Sequence, residues 1–142
     1  MNGAPAAVVR MFTLLSCLLV ATACNETSPT GPAVPLSERF VLAPGGAAAI
    51  AKAGISVQFV GVSGDSRCPA DAFCIQGGDA IVEVRVLDSG AAALYQLHTG
   101  DKQRASAAHR DLRIELLDVQ PYPFSTRPID ASDYRVTLVV SR

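Results

Sequence analysis

Four cysteines are the residues of this chain best suited to covalent chemistry. Cys17 lies inside the apolar run Met11–Ala23, which follows the single charge of Arg10 and ends in small residues. That order is typical of a cleaved secretory signal, and the run is too short to span a membrane. Export leads to an oxidising compartment, where two thiols close in sequence pair readily. The spacing therefore predicts a disulfide between Cys68 and Cys74.

Other cysteine chemistries fit this spacing less well. Five residues lie between Cys68 and Cys74, whereas a thioredoxin-type redox motif has two. Zinc would need further ligands, and the two histidines, His98 and His109, stand at no recognised spacing from the cysteines. We expect neither catalytic disulfide exchange nor zinc binding, and we predict no cofactor.

Cys24 directly follows the predicted signal, residues 1–23, and opens a polar, proline-rich stretch. The segment Ala21–Cys24 resembles the lipobox of bacterial lipoproteins. This resemblance implies that the Cys24 thiol carries a diacylglyceryl group and its amino terminus a further acyl chain, enough for stable membrane anchoring. The mature chain would then have 119 residues and lie at the bacterial cell envelope, facing the periplasm or on the outer membrane. An ordinary cleaved signal followed by a free Cys24 is the alternative.

Three aspartates flank or separate the paired cysteines. Asp65, Asp71 and Asp79 could gather around calcium, a hard cation that prefers oxygen ligands. The alternative is that each accepts hydrogen bonds from backbone amides in its own turn. Arg67 could present its charge to a ligand or pair with a neighbouring aspartate, and internal pairing is the stronger expectation.

Aromatic and basic side chains form a second group of candidates. Tyr122, Phe124 and Arg127 lie in a proline-rich segment, and Phe73 lies between the cysteines. Together with Arg67 they are the candidate binding residues, because aromatic residues and arginine are enriched in binding hot spots. The alternative for the first three is that they plug the open end of a barrel.

Catalytic patterns are missing from the sequence. It holds no Gly-x-Ser-x-Gly elbow, paired-histidine metal motif or phosphate loop. His98 and His109 occur in ordinary contexts, and we expect both to point outward to solvent. The sequence thus predicts no catalytic residue and a protein that is not an enzyme.

Period-two alternation places these residues on an all-β scaffold. In Ala80–Leu87, Val82 and Val84 share an apolar face, while Glu83 and Arg85 share the other. The same alternation predicts further strands, making about seven, in Arg39–Leu42, Ala47–Ile50, Ile55–Phe59, Leu94–Thr99, Leu112–Leu116 and Tyr134–Val140. Short turns join most of them, and no segment of helical period intervenes. We predict a small antiparallel β-sandwich or barrel over residues 36–142.

Two connections are longer than this scaffold needs, and both are natural places for function. The stapled loop, Ser63–Asp79, is rich in turn formers and is closed by the predicted disulfide. The proline-rich loop, Gln120–Asp130, contains three prolines that cannot donate to a β-ladder. Residues 24–35 are also rich in proline and predict an extended, solvated tether between Cys24 and the domain.

Motifs in both loops resemble those of a largely uncharacterised family of small bacterial lipoproteins and exported proteins. They are Asp65-Ser-Arg-Cys-Pro69, Cys74-Ile-Gln-Gly-Gly78, Pro121-Tyr-Pro123 and Asp133-Tyr134. The resemblance covers nearly the whole mature domain and implies secretion, a β-rich fold and the Cys68–Cys74 bridge, but no activity. This chain has Gln76 where the family usually has tryptophan, which leaves open whether that position binds or packs.

Charge narrows the choice of partner. The chain has a net charge of −1, or −2 once the signal is removed, with no basic cluster, so we predict no nucleic acid partner. The prediction for function is a lipid-anchored, non-enzymatic binding module of the cell envelope that contacts an envelope protein or small ligand. Two alternatives remain open: an envelope hydrolase with an unrecognised site, and a calcium-stabilised structural domain.

Overall fold

The computed structural model describes residues 31–142, and the predicted signal and Cys24 lie outside the described residues. This described part of the chain forms nine strands and one short 3-10 turn, Ala131–Asp133. The strands are β1 Ala33–Val34, β2 Arg39–Leu42, β3 Ala47–Ile50, β4 Ile55–Asp65, β5 Ala80–Asp88, β6 Ala91–His98, β7 Ser106–His109, β8 Leu112–Gln120 and β9 Arg135–Ser141. Within residues 31–142, no helix is long and apolar enough to cross a membrane.

The strands form two sheets that pack as a β-sandwich, which confirms the predicted all-β fold. One sheet has the order β1-β3-β4-β5-β6 and the other the order β2-β9-β8-β7. All neighbours pair antiparallel except β1 and β3, which are parallel. All seven predicted strands are present. The two unpredicted strands are β1, which has only two residues, and β7, which contains small alanines in place of alternating large apolar residues.

The core lies between the sheets and comes from the inward side chains of each strand. Val82, Val84 and Val86 of β5 have no exposed surface, and neither do Ile114 of β8 and Leu138 of β9. Burying each such side chain contributes about 1.5–3 kcal/mol relative to exposure. This continuous core fixes the strand ends from which the two long loops project.

The ordered domain begins earlier than the predicted boundary at Leu36. Ala33 and Val34 pair with Ala49 and Ile50, and Val34 is buried against the core. The prediction that the tether extends to Pro35 is therefore wrong for these residues. Two residues between prolines are too few to show alternation, so the pairing has no signal in the sequence.

The sandwich has two distinct ends. At the loop end lie the stapled loop, which joins β4 to β5, the connection 99–105 between β6 and β7, and the proline-rich loop after β8. At the opposite hairpin end, tight turns join β5 to β6 and β7 to β8. Most candidate residues of the sequence thus gather at the loop end.

Candidate functional site

The disulfide predicted between Cys68 and Cys74 is present, with the two Cα atoms 5.9 Å apart. Below it, the arms of the stapled loop continue to pair: Cys68 N donates to Gly77 O, and Ser66 N donates to Asp79 O. Gly78 has a φ of 68°, and a side chain there would collide with the Ser66 carbonyl. The disulfide, the paired arms and this close approach together hold the stapled loop in one shape.

The stapled loop docks directly on the proline-rich loop. Ala70 N donates to Pro123 O at 2.9 Å. The Asp71 carboxylate accepts hydrogen bonds from Ser125 N at 2.8 Å and Ser125 Oγ at 2.6 Å. These bonds from Ser125 lower the pKa of Asp71. We call the joint outer face, Ala72–Gly78 and Tyr122–Arg127, the double-loop surface.

Arg67 is buried beneath this surface, so its prediction as a ligand-binding residue is wrong. Its side chain is 5% exposed. The guanidinium donates Nε and Nη2 to the two oxygens of Asp65, and it also donates to the carbonyls of Val119 and Pro121 at 2.6 and 2.9 Å. The Tyr122 ring lies over it, 5.1 Å from Cζ to the ring centroid. Arg67 thus pairs internally, as expected, and it orders the loop by joining the ends of β4 and β8.

Asp65 has a second partner, which lies next to the last strand. The Tyr134 hydroxyl, just before β9, donates to Asp65 Oδ2 at 3.0 Å. Burial raises the pKa of Asp65, but the hydrogen bonds and charge of Arg67 and the bond from Tyr134 outweigh it, so the pKa is lowered. Burial and the same hydrogen bond raise the pKa of Tyr134. The loop end is thus tied together by one ionised, hydrogen-bonded cluster.

The three aspartates predicted as weak calcium ligands do not come together. Asp65 binds Arg67 and Tyr134, Asp71 binds Ser125, and Asp79 binds His98 and Gly100 N. Within residues 31–142, no group of three or more acidic, histidine or cysteine side chains is arranged to hold a metal. The alternative, that each aspartate accepts from backbone amides of its own turn, holds for Asp65, which accepts from Arg67 N. It is wrong for Asp71 and Asp79, whose backbone donors, Ser125 N and Gly100 N, lie in other segments.

The double-loop surface carries large apolar side chains that face solvent. Phe73 and Ile75 are 110% and 105% exposed, as open as in an isolated extended peptide. Tyr122 and Phe124 are 47% and 51% exposed, which rules out the barrel-plug alternative for them. Ile75 is not among the predicted binding residues, although an isoleucine in an uncharged, glycine-rich loop is a usable signal, because nothing nearby in the loop can cover it.

Arg127 is exposed at one side of the double-loop surface. It lines a shallow depression together with Tyr122, Phe124 and Ile129. Its backbone amide donates to Phe124 O at 3.3 Å, which closes the turn between them. The structure therefore brings the predicted group Tyr122, Phe124 and Arg127 together, whereas Phe73 projects freely from the stapled loop.

An open polar cleft of about 680 Å³ adjoins the double-loop surface, and His98 lies in its lining. His98 is buried, so the prediction that it points outward to solvent is wrong. His98 Nδ1 lies 2.6 Å from Asp79 Oδ2, and Nε2 lies 3.3 Å from Arg104 Nη1. Arginine can only donate, so Nε2 accepts and Nδ1 donates to Asp79. Burial raises the pKa of Asp79, but bonds from Gly100 N and His98 outweigh it and lower the pKa.

His98 therefore fastens the connection 99–105 to the base of the stapled loop. Its Nε2 faces a guanidinium and not a hydroxyl or thiol that it could activate. The hydroxyl of Ser66, which also lines the cleft, donates to Asp79 O instead. Gln76 is exposed at the rim of the same cleft and fills no local core.

His109 at the hairpin end is also mostly buried, so its predicted outward position is wrong as well. Its Nε2 lies 3.1 Å from Asp88 Oδ2, and its Nδ1 lies 2.9 Å from the Tyr95 hydroxyl. Arg110 Nη2 reaches the same Asp88 oxygen at 2.6 Å. The hydrogen bond from His109, larger than the opposing effect of burial, lowers the pKa of Asp88. This cluster braces the hairpin between β7 and β8, far from the double-loop surface.

The fold and this geometry define a small disulfide-containing β-sandwich with a rigid apolar surface at one end. Comparisons with protein families, curated proteins and solved structures find no match to this chain. The resemblance to a family of small bacterial lipoproteins stays a prediction.

Proposed function

We propose that this chain is an exported, lipid-anchored β-sandwich that acts as a non-enzymatic binding module of the bacterial cell envelope. Its contact surface is the double-loop surface. The observation that carries the proposal is the complete exposure of Phe73 and Ile75 on a loop that a disulfide and a second loop hold rigid. Large apolar groups held open to water at one end of a small domain are typical of an interaction site.

Rigidity strengthens this interpretation. Ordering a flexible side chain or loop on binding costs about 0.5–1.5 kcal/mol for each immobilised side chain. The Cys68–Cys74 bridge and the contact of Asp71 with Ser125 order the stapled loop before any partner arrives. The double-loop surface is therefore preorganised for binding.

The support for a lipid anchor lies in the sequence. Ala21–Cys24 has the pattern of a lipobox, and acylation at two positions gives stable membrane attachment where one chain does not. An anchored module meets its partner at the membrane, so even a modest affinity would be sufficient there.

The hydrolase alternative has less support among residues 31–142. Each histidine there uses both ring nitrogens in contacts with aspartate, arginine or tyrosine, and neither faces a serine or cysteine nucleophile. The calcium alternative loses its basis, because Asp65, Asp71 and Asp79 serve separate contacts. The binding module is the function that the geometry supports best.

The test is crosslinking from intact envelopes with a photoreactive residue at position 76, which is exposed on the double-loop surface. We expect an envelope component to be captured by the native chain and lost in Phe73→Ser with Ile75→Ser. Val41→Ser with Leu94→Ser is the matched control, since these residues are 60% and 56% exposed on other strands. Replacing Cys68 and Cys74 together by serine should weaken capture without unfolding the sandwich. Equal capture by all four forms would contradict the proposal.

Acylation is tested separately with a labelled fatty acid. The label should enter the native chain and be lost in Cys24→Ser. Labelling that persists in Cys24→Ser would show that the anchor is elsewhere, and no labelling of either form would refute it.

A further inference from the structure

We infer that the partner of the double-loop surface is the lipid bilayer that holds the anchor of Cys24, with Phe73 and Ile75 inserted in its interfacial layer. This inference rests on the proposed function and names its partner. It follows from the direction in which the chain enters the domain, the length of chain before it, and the chemistry of the surface itself.

The direction in which the chain enters the domain follows from the orientation of β1. This strand runs parallel to β3, which pairs antiparallel with β4, and β4 runs toward the stapled loop. The start of β1 therefore points toward the loop end of the sandwich. The chain that comes from Cys24 enters the domain from the side on which Phe73 and Ile75 are exposed.

The length of chain between Cys24 and the domain is also consistent with contact between the double-loop surface and the membrane. Gly31 packs against the backbone of Ala47, which pairs with Gln58 of β4. Two β-bulges shorten β4 between Gln58 and Asp65, and the paired stretch of β5 from Arg85 to Ala80 rises about 17 Å at about 3.3 Å for each residue. Gly31 lies seven positions after Cys24, and a chain of that length spans at most about 25 Å. The acylated residue can thus reach the level at which the stapled loop leaves the sheet and a few ångströms beyond it.

The surface has the composition of an interfacial membrane contact. Ala72–Gly78 and Gln120–Thr126 contain no charged residue, and the carboxylate that joins them, Asp71, accepts hydrogen bonds from Ser125 N and Oγ. Few ions therefore have to be desolvated when these segments enter the interface. Tyr122 and Arg127 border the apolar tip, and both residue types keep a polar end in water while their apolar part is covered. Insertion of uncharged segments should depend little on salt.

Shape favours lipid over a protein partner. A protein interface needs a packed centre of complementary shape. Phe73 and Ile75 project with their whole surface free, and no wall of the described chain stands beside them. A fluid hydrocarbon layer covers such projecting groups without any matching shape, and the anchor keeps it within reach.

Tryptophan fluorescence tests this directly, because the chain contains no tryptophan. The lipid-modified full mature chain carrying Phe73→Trp is reconstituted into phospholipid vesicles with brominated acyl chains. We expect a blue-shifted emission that the bromines quench. Leu94→Trp and Val41→Trp, at exposed positions on strands β6 and β2, should show no quenching by the bromines and no blue shift on reconstitution. Ile75→Trp should repeat the result for Phe73→Trp.

The outcomes separate this inference from the proposed function. A chain that floats with the vesicles but shows the same aqueous emission at positions 73, 75, 94 and 41 is anchored without insertion, which would overturn the inference alone. An emission at position 73 that changes only when envelope proteins are added would overturn it in favour of a protein partner. Failure of the native chain to float would refute the anchor and, with it, the inference.

Discussion

Arg67 and Asp65 form a two-point ion pair in which Nε and Nη2 donate to the two carboxylate oxygens at 2.9 and 2.6 Å. The two residues lie two positions apart at the end of β4. The remaining donors of Arg67 bind the carbonyls of Val119 and Pro121, more than fifty residues away in the sequence. A local pair thereby determines where the proline-rich loop leaves β8.

Removing the arginine should therefore destabilise the whole domain. We expect Arg67→Ala to lower the free energy of unfolding by about 3–5 kcal/mol, because it removes the charged partner of the Asp65 carboxylate and the guanidinium donors to two carbonyls. Arg67→Lys should recover only part of the loss, since lysine cannot make the two-point contact. Urea denaturation measures both, and Arg127→Ala, at an exposed site, should stay within about 0.5 kcal/mol of the native chain. Fully additive losses in Arg67→Ala and Asp65→Ala would contradict direct pairing.

Acid should weaken the same cluster in a defined range. The folded-state pKa of Asp65 lies below its ordinary value of 3.8, so its ionisation favours the folded state above that value. This contribution is complete above about pH 5 and is lost as the pH falls through the lowered folded pKa. We expect the stability difference between the native chain and Asp65→Asn to be constant near neutral pH and to narrow below about pH 4.

The Arg67→Ala chain serves as the control for that titration. Without the hydrogen bonds and charge of Arg67 the folded-state pKa of Asp65 should be higher and no longer well below the unfolded value, so the loss of stability in acid that comes from Asp65 should be smaller. A stability difference for Asp65→Asn that stays unchanged down to pH 2 would show that Asp65 is not the titrating group.

The contact between the two loops should open without unfolding the sandwich. Asp71→Ala removes the acceptor for Ser125 N and Oγ. We expect faster hydrogen exchange at the amides of Ser125 and Ala70, with exchange in β5 unchanged, because local opening exposes only the loops. Asp130→Asn, in the same proline-rich loop but with no side-chain cap bond, is the matched control. Protected loop amides in Asp71→Ala would mean that the loops do not depend on this contact.

Shortening the tether should withdraw the double-loop surface from the membrane. Deleting residues 25–28 removes about 14 Å of reach. We expect Phe73→Trp to lose its quenching by brominated lipid while the chain still floats with vesicles. Replacing the same four residues by glycine and serine, at constant length, should preserve the quenching. Insertion that survives the deletion would show that the tether does not limit it.

The scaffold was predictable because its signals are local. Val82, Val84 and Val86 alternate with Glu83 and Arg85, and that pattern alone indicates a half-buried strand. The spacing of Cys68 and Cys74 in an exported chain likewise indicated their bond. Local patterns could not indicate β7, whose small residues give no clear alternation.

The candidate site was only partly predictable, because burial there arises between distant segments. His98 lies on the face opposite Leu97, as the alternation required, but Asp79 and Arg104 cover that face. His109 is covered in the same way through Asp88, which lies just beyond the predicted strand Ala80–Leu87. Arg67 and the exposed Phe73 are a few residues apart in one loop, and only the docking of the second loop makes one internal and the other external.

β1 also determines how the domain would respond to mechanical load. Its backbone bonds to β3, from Ala49 N to Pro32 O and from Ala51 N to Val34 O, lie across the strand direction. A pull on the chain before Gly31, toward the loop end, acts along the strand, so it loads these bonds together in shear instead of opening them one after another. The two-residue strand β1 thus transmits force between the anchor segment and the sandwich and resists it through these bonds.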